Sequence, residues 1–151
     1  MVRRPSLSTF FRLSGRHQRL ALEAAWNLLR ARIDTLKPAS SYTRHLGEMG
    51  RESPMLTEEQ EFAATEIGAV VERVSRIMPF RAQCLQQALA TQRMLRRRGL
   101  GATVFLGLAT DRAARAAGTA DDPAHAWVQA GKVVVNGQQN LDKFAVVGRF
   151  S

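Results

Sequence analysis

Apolar residues recur at helical spacing through the first half of the chain and at strand-like spacing through the second. Between residues 14 and 36 they fall at Leu22, Ala25, Trp26, Leu29, Ile33 and Leu36, with arginines between them. This spacing predicts an amphipathic helix opened by Ser14 and stopped by Pro38, with the Trp26/Leu29/Ile33 stripe packed into the core. Residues 39–54 are polar, rich in Ser and Gly and without a period, and read as a loop or linker. Thr57-Glu58-Glu59-Gln60 is a capping box, and Ala63, Ile67, Val70, Val74 and Ile77 then carry a second helix to Met78, where Pro79 breaks it. A third helix is predicted from about Ala82 to Arg98. Leu85, Ala88, Leu89 and Leu95 face inward, and Cys84, Ala88, Thr91 and Leu95 share one flank.

Beyond Gly99 the period shortens. Residues 102–108 read as a strand, and residues 125–129 and 132–135 as two more joined through Ala130-Gly131 as a hairpin; residues 144–147 form a last apolar segment. Helices first and an antiparallel sheet last predict an α+β fold. We divide the chain at residue 56: a basic N-terminal helix and linker over 1–56, packing on a core over 57–151, the two forming one structural domain.

Composition narrows the chemistry. A chain of 151 residues is long enough to bury its own core. One cysteine allows neither an internal disulfide nor a thiolate-rich zinc site, and no metal-binding cluster or phosphate-binding glycine loop stands out, so no cofactor is expected. The basic N-terminus lacks the apolar stretch of a secretory signal, and no apolar run has membrane-spanning length; the expectation is a cytoplasmic protein without a transmembrane segment. The net charge of +9 is uneven. Eight Lys/Arg lie in the first 37 residues against Glu23 and Asp34, and Arg93, Arg96, Arg97 and Arg98 close the third helix. The second cluster complements the helix dipole ahead of a Gly99 cap. The first favours an acidic partner. Specific nucleic-acid binding is not expected, because aromatics do not interleave with the cations and no DNA-reading motif is present.

The candidate chemistry centres on Cys84 and His125. A cysteine at a helix start meets unpaired N–H groups that favour the thiolate, and a histidine beside it can hold that thiolate and later protonate a leaving group. His125 opens a strand in Ala124-His125-Ala126-Trp127-Val128, while His17 and His45 have no nucleophile near them in sequence and read as solvated. Asn136 ends the strand paired with the one His125 opens, which makes it the expected orienting residue of a Cys84–His125–Asn136 triad. The Cys84 main-chain N–H, and less securely the Gln83 side chain, are candidate oxyanion donors. On general grounds a lone helical cysteine is more often a small buried hydrophobe than a nucleophile; the hairpin around His125 is what favours catalysis.

Residues 84–90 (CLQQALA), 94–102 (MLRRRGLGA) and 124–129 (AHAWVQ), with Gly131 and Val133-Val134-Val135-Asn136-Gly137, resemble the transglutaminase-like leader peptidases of lasso-peptide biosynthesis. The resemblance extends over residues 78–150 and, more loosely, to the helix with Glu23, Ala24, Trp26, Leu29 and Leu36. It implies a transglutaminase-like, papain-like cysteine-protease core in which Cys84 is the nucleophile and His125 the general base and acid. It implies the stand-alone peptidase half of a split processing protein, acting on a precursor peptide with a separate leader-recognition protein and an asparagine-synthetase-like lasso cyclase. The family's third catalytic member is an Asp shortly after the second hairpin strand. Here the sequence reads Asn136-Gly137-Gln138-Gln139, which leaves Asn136, Asp142 or one of Asp121 and Asp122 for the role. The departure also keeps open a non-catalytic or acyl-transferring scaffold in a peptide-modification complex.

Overall fold

The computed structural model describes residues 14–112 and 123–151. Among the described residues, four helices lead into a four-stranded antiparallel sheet: α1 Gly15–Asp34, α2 Ala39–Leu46, α3 Glu58–Ser75, α4 Cys84–Arg96, β1 Thr103–Ala109, β2 Ala124–Ala130, β3 Val133–Asn136 and β4 Phe144–Phe150. The strand order is β3-β2-β1-β4, and a 3-10 turn at Leu141–Lys143 leads into β4. This is the expected α+β arrangement, with the helices covering one face of the sheet.

Local signals act where the sequence places them. Thr57 Oγ1 accepts from the Gln60 N–H at 3.3 Å and Gln60 Oε1 accepts from the Thr57 N–H at 2.9 Å, so two orphan donors of α3 are satisfied reciprocally. Residues Ala64, Ile67, Val70, Val71 and Val74 of α3 are then buried, as are Ala88, Thr91 and Leu95 of α4. At the end of α4 the arginines bind the helices preceding it. Arg93 holds Asp34 at 2.6 Å, Arg98 holds Glu23 at 2.7 Å, and Arg96 donates to the Leu46 carbonyl at 2.8 Å. The cluster read as a dipole complement is therefore also the clamp between α4 and the N-terminal helices.

Two expectations are corrected. Residues 39–46 are helical, and Leu46 at the end of α2 is fully buried, its carbonyl accepting from Gln92 Nε2 at 2.7 Å. A short helix buried through one leucine carries too little periodicity to stand out from a polar sequence. The second correction concerns the face of α1. Its core side is Leu20, Ala24, Asn27, Leu28 and Ala31, whereas Leu22, Trp26, Leu29 and Ile33 are 61%, 58%, 40% and 49% exposed. Ala24 and Ala31 let the α1 backbone come close to its neighbours, so the smaller stripe is buried and the bulkier one is left outside. Leu20, Ala24, Leu28 and Ala31 join the same hydrophobic cluster as α3, α4 and the sheet.

Candidate active site

Cys84 is the first residue of α4, with Gln83 as N-cap. The Gln83 N–H donates to Gln86 Oε1 at 3.0 Å, and Gln86 in turn donates to Thr35 Oγ1 at 2.9 Å, so the helix start is tied to the end of α1. This fixes where the Cys84 sulfur sits. The thiol is half-buried and free.

The sheet brings His125 to it. β3 has four residues and β2 seven, and β3 pairs only with Val128, Gln129 and Ala130. The N-terminal half of β2 is thus left for the start of α4 on that side. The Ala126 N–H donates to the Cys84 sulfur there, the Leu85 N–H donates from within α4, and the His125 side chain is hydrogen-bonded to the same sulfur. Burial pushes the thiol pKa up, but these contacts outweigh it and the net position is below that of an ordinary thiol. A lowered thiol pKa beside a histidine at a helix N-terminus is the signature of a nucleophilic cysteine.

The His125 ring is held by contacts on several sides. Nε2 lies 2.7 Å from the Gly137 carbonyl oxygen. A carbonyl only accepts, so Nε2 carries the proton and Nδ1 is the nitrogen left for the thiol. The ring stacks on Trp127 at 5.9 Å between centroids and tilts against Phe144 at 5.0 Å; Trp127 stacks in turn on Phe105 at 5.5 Å. Gly107 makes this layering possible, because a Cβ there would come within 2.8 Å of Trp127 Cζ3 and 2.9 Å of Phe144 Cβ.

Cys84 and His125 therefore meet, and Asn136 lies away from the His125 ring. It pairs opposite Val128, three residues from His125, after a bulge that shifts the β2–β3 register between Val128 and Gln129. Its amide is buried, and neither the Asn136 oxygen nor its nitrogen has a hydrogen-bond partner. The group on the far nitrogen of His125 is instead the main-chain carbonyl of the next residue. The physical reason is strand length: β3 is too short for its last residue to reach the start of β2. Sequence reasoning overlooked Gly137 because a backbone acceptor leaves no side-chain signature; the available hint was a glycine directly after the strand, a residue type suited to the left-handed φ of +78° found there. Asp142 lies exposed in the 3-10 turn, and Asp121 and Asp122 fall outside the described residues. The Gln83 side chain is exposed at the N-cap, and the Cys84 N–H, first in the helix, has no intrahelical acceptor. Neither remaining histidine approaches this centre: His17 lies 2.7 Å from Ser14 Oγ and 3.4 Å from Glu66, and the His45 carbonyl accepts from Arg96.

A thiol and an imidazole in this arrangement have the parts that acyl transfer requires, and comparison with known proteins gives the family. The model of the Transglutaminase-like superfamily matches residues 19–149, from within α1 to the penultimate residue of β4. No curated protein and no solved structure matches the chain. With helix-borne Cys84 meeting strand-borne His125 inside a match that covers most of its length, the chain belongs to the transglutaminase-like superfamily.

Proposed function

We propose that the protein is a cysteine endopeptidase that removes the leader from a lasso-peptide precursor. The observation that carries the reading is the Cys84–His125 contact, with its lowered thiol pKa at the start of α4. The sequence blocks around Cys84, Arg96-Arg97-Arg98-Gly99 and His125-Ala126-Trp127-Val128 support the narrower choice within the superfamily.

In the proposed reaction Cys84 gives its proton to Nδ1 of His125, and the thiolate attacks the carbonyl carbon at the leader–core junction. The Cys84 N–H is the oxyanion donor that the helix start offers. The C–N bond breaks as Nδ1–H of His125 protonates the departing amine, leaving a thioester on Cys84. Water, losing a proton to Nδ1, then attacks that thioester and releases the leader carboxylic acid and the free thiol. Gly137 keeps the proton on Nε2 throughout by accepting from it, and Trp127 and Phe144 keep the ring in plane.

The test uses the purified chain with a lasso-peptide precursor and its leader-recognition protein, followed by mass spectrometry. Expected is one cut at the leader–core junction by the wild type and none by Cys84→Ala. Cleavage retained by the variant overturns the reading; transfer of the acyl group to an added amine in preference to water assigns the same site to acyl transfer instead.

A further inference from the structure

We propose that the outer face of α1 is a docking seam for an acidic amphipathic helix of a partner protein. The exposed residues Leu22, Trp26, Leu29 and Ile33 alternate in steps of four, three and four, and Leu36, 73% exposed in the turn that closes the helix, adds a further step of three. This is the a/d spacing of a coiled-coil seam. At 100° per residue the four helical positions fall within about 60° of the circumference and run about 17 Å along the axis. So narrow a band fits the ridge of one helix; a helix lying in a lipid interface needs a broader apolar face. The opposite face of α1 is already committed to the core through Leu20, Ala24, Leu28 and Ala31.

Charge selects the occupant. The positions flanking the seam carry Arg30, Arg32 and Lys37, and Arg19 continues it toward the N-terminus. Arg19 and Arg30 are exposed and make no ion pair among the described residues. Arg32 lies over the Phe80 ring at 5.9 Å to the centroid, and Lys37 stands 3.8 Å from Asp34. The one acid on a flanking position, Glu23, is turned away into Arg97 and Arg98. A second copy of this chain would set these cations against each other in either orientation, and its net charge of +9 adds to the repulsion. A helix with Glu or Asp beside its apolar seam meets them with opposite charge.

The surface does not depend on the peptidase reading, and it is tested with the catalytically blocked Cys84→Ala chain. The probes are two synthetic heptad peptides with Ile and Leu in the seam, one with Glu and one with Lys at all flanking positions, followed by fluorescence anisotropy. Expected is binding of the Glu peptide at least tenfold tighter than of the Lys peptide. Trp26→Glu with Ile33→Glu should abolish it with an unchanged circular dichroism spectrum, and Arg30→Glu with Lys37→Glu should reverse the preference. Equal binding of both peptides, or of neither, overturns the proposal. So do a dimer in sedimentation velocity, which gives the seam to a second copy, and partition onto anionic phosphatidylglycerol vesicles without Glu-peptide binding, which gives it to lipid. Shielding of Trp26 from acrylamide in the free full-length chain, read in a Trp127→Phe background, would give it to the chain's own first thirteen residues.

Discussion

The carbonyl oxygen of Gly137 stands 2.7 Å from Nε2 of His125, at the position where a triad carries a carboxylate or an amide. A main-chain carbonyl selects the same tautomer as either side chain but contributes a dipole in place of a full charge. An imidazolium formed in the proposed reaction would be oriented by this carbonyl as by the third member of a triad.

Replacing Gly137 with Ala should damage the site through the backbone. Its φ is +78°, and a Cβ would come within 2.6 Å of the Ala126 carbonyl oxygen. We expect a loss of about 1–3 kcal/mol in stability and slower alkylation of Cys84, because Ala126 also donates to the sulfur. Urea denaturation and iodoacetamide labelling report the two effects. Asn136→Leu is the contrast: it removes a buried amide without a partner at similar volume, so stability should hold or rise and Cys84 labelling should be unchanged. Slower labelling in Asn136→Leu than in Gly137→Ala would return the orienting role to the side chain.

The pH dependence of Cys84 labelling has a definite sign. The thiol pKa lies below the ordinary value because His125 and two main-chain N–H groups outweigh burial. The labelling rate should therefore reach half its plateau at a lower pH than for a free thiol. In His125→Ala burial acts with less opposition, so the midpoint should move up and the rate at neutral pH should fall. A midpoint unmoved by the substitution would show that His125 does not hold the thiolate.

Gly107→Ala probes the aromatic layer under the histidine. The added methyl would press on Trp127 and Phe144 at 2.8 and 2.9 Å, and overpacking of this kind costs about 1–3 kcal/mol. Since both rings touch His125, the thermal midpoint and the Cys84 labelling rate should fall together.

The ion pair between Arg93 and Asp34 should matter to stability where surface pairs do not. It spans 2.6 Å between mostly covered side chains, and Arg93 Nη1 is already buried without a partner. Asp34→Ala should cost about 2 kcal/mol in urea denaturation. Glu48→Ala, which breaks an exposed pair with Arg51, should leave the midpoint where it is.

What the sequence disclosed follows from how each feature is encoded. The capping box at Thr57, the stripe from Ile67 to Val74 and the hairpin at Gly131 are local, and the chain forms them where it spells them. Cys84 and His125 were legible because their chemistry resides in side chains. The orienting carbonyl of Gly137 was not, nor the bulge that turns Asn136 inward, since both depend on strand register. The buried face of α1 was misread for a different reason: hydrophobicity weights Trp26 and Ile33 above Ala24 and Ala31, whereas close packing of helices favours the small residues.

The shortness of β3 ties the setting of Cys84 to the length of one hairpin arm. The sulfur takes a hydrogen bond from Ala126 along the edge that a longer third strand would claim. Residues added at the Gly131 turn would extend the hairpin away from the cysteine, whereas residues that prolonged pairing past Asn136 would evict it. A single added rung of sheet past Asn136 would thus take from the cysteine the main-chain N–H that holds it beside His125.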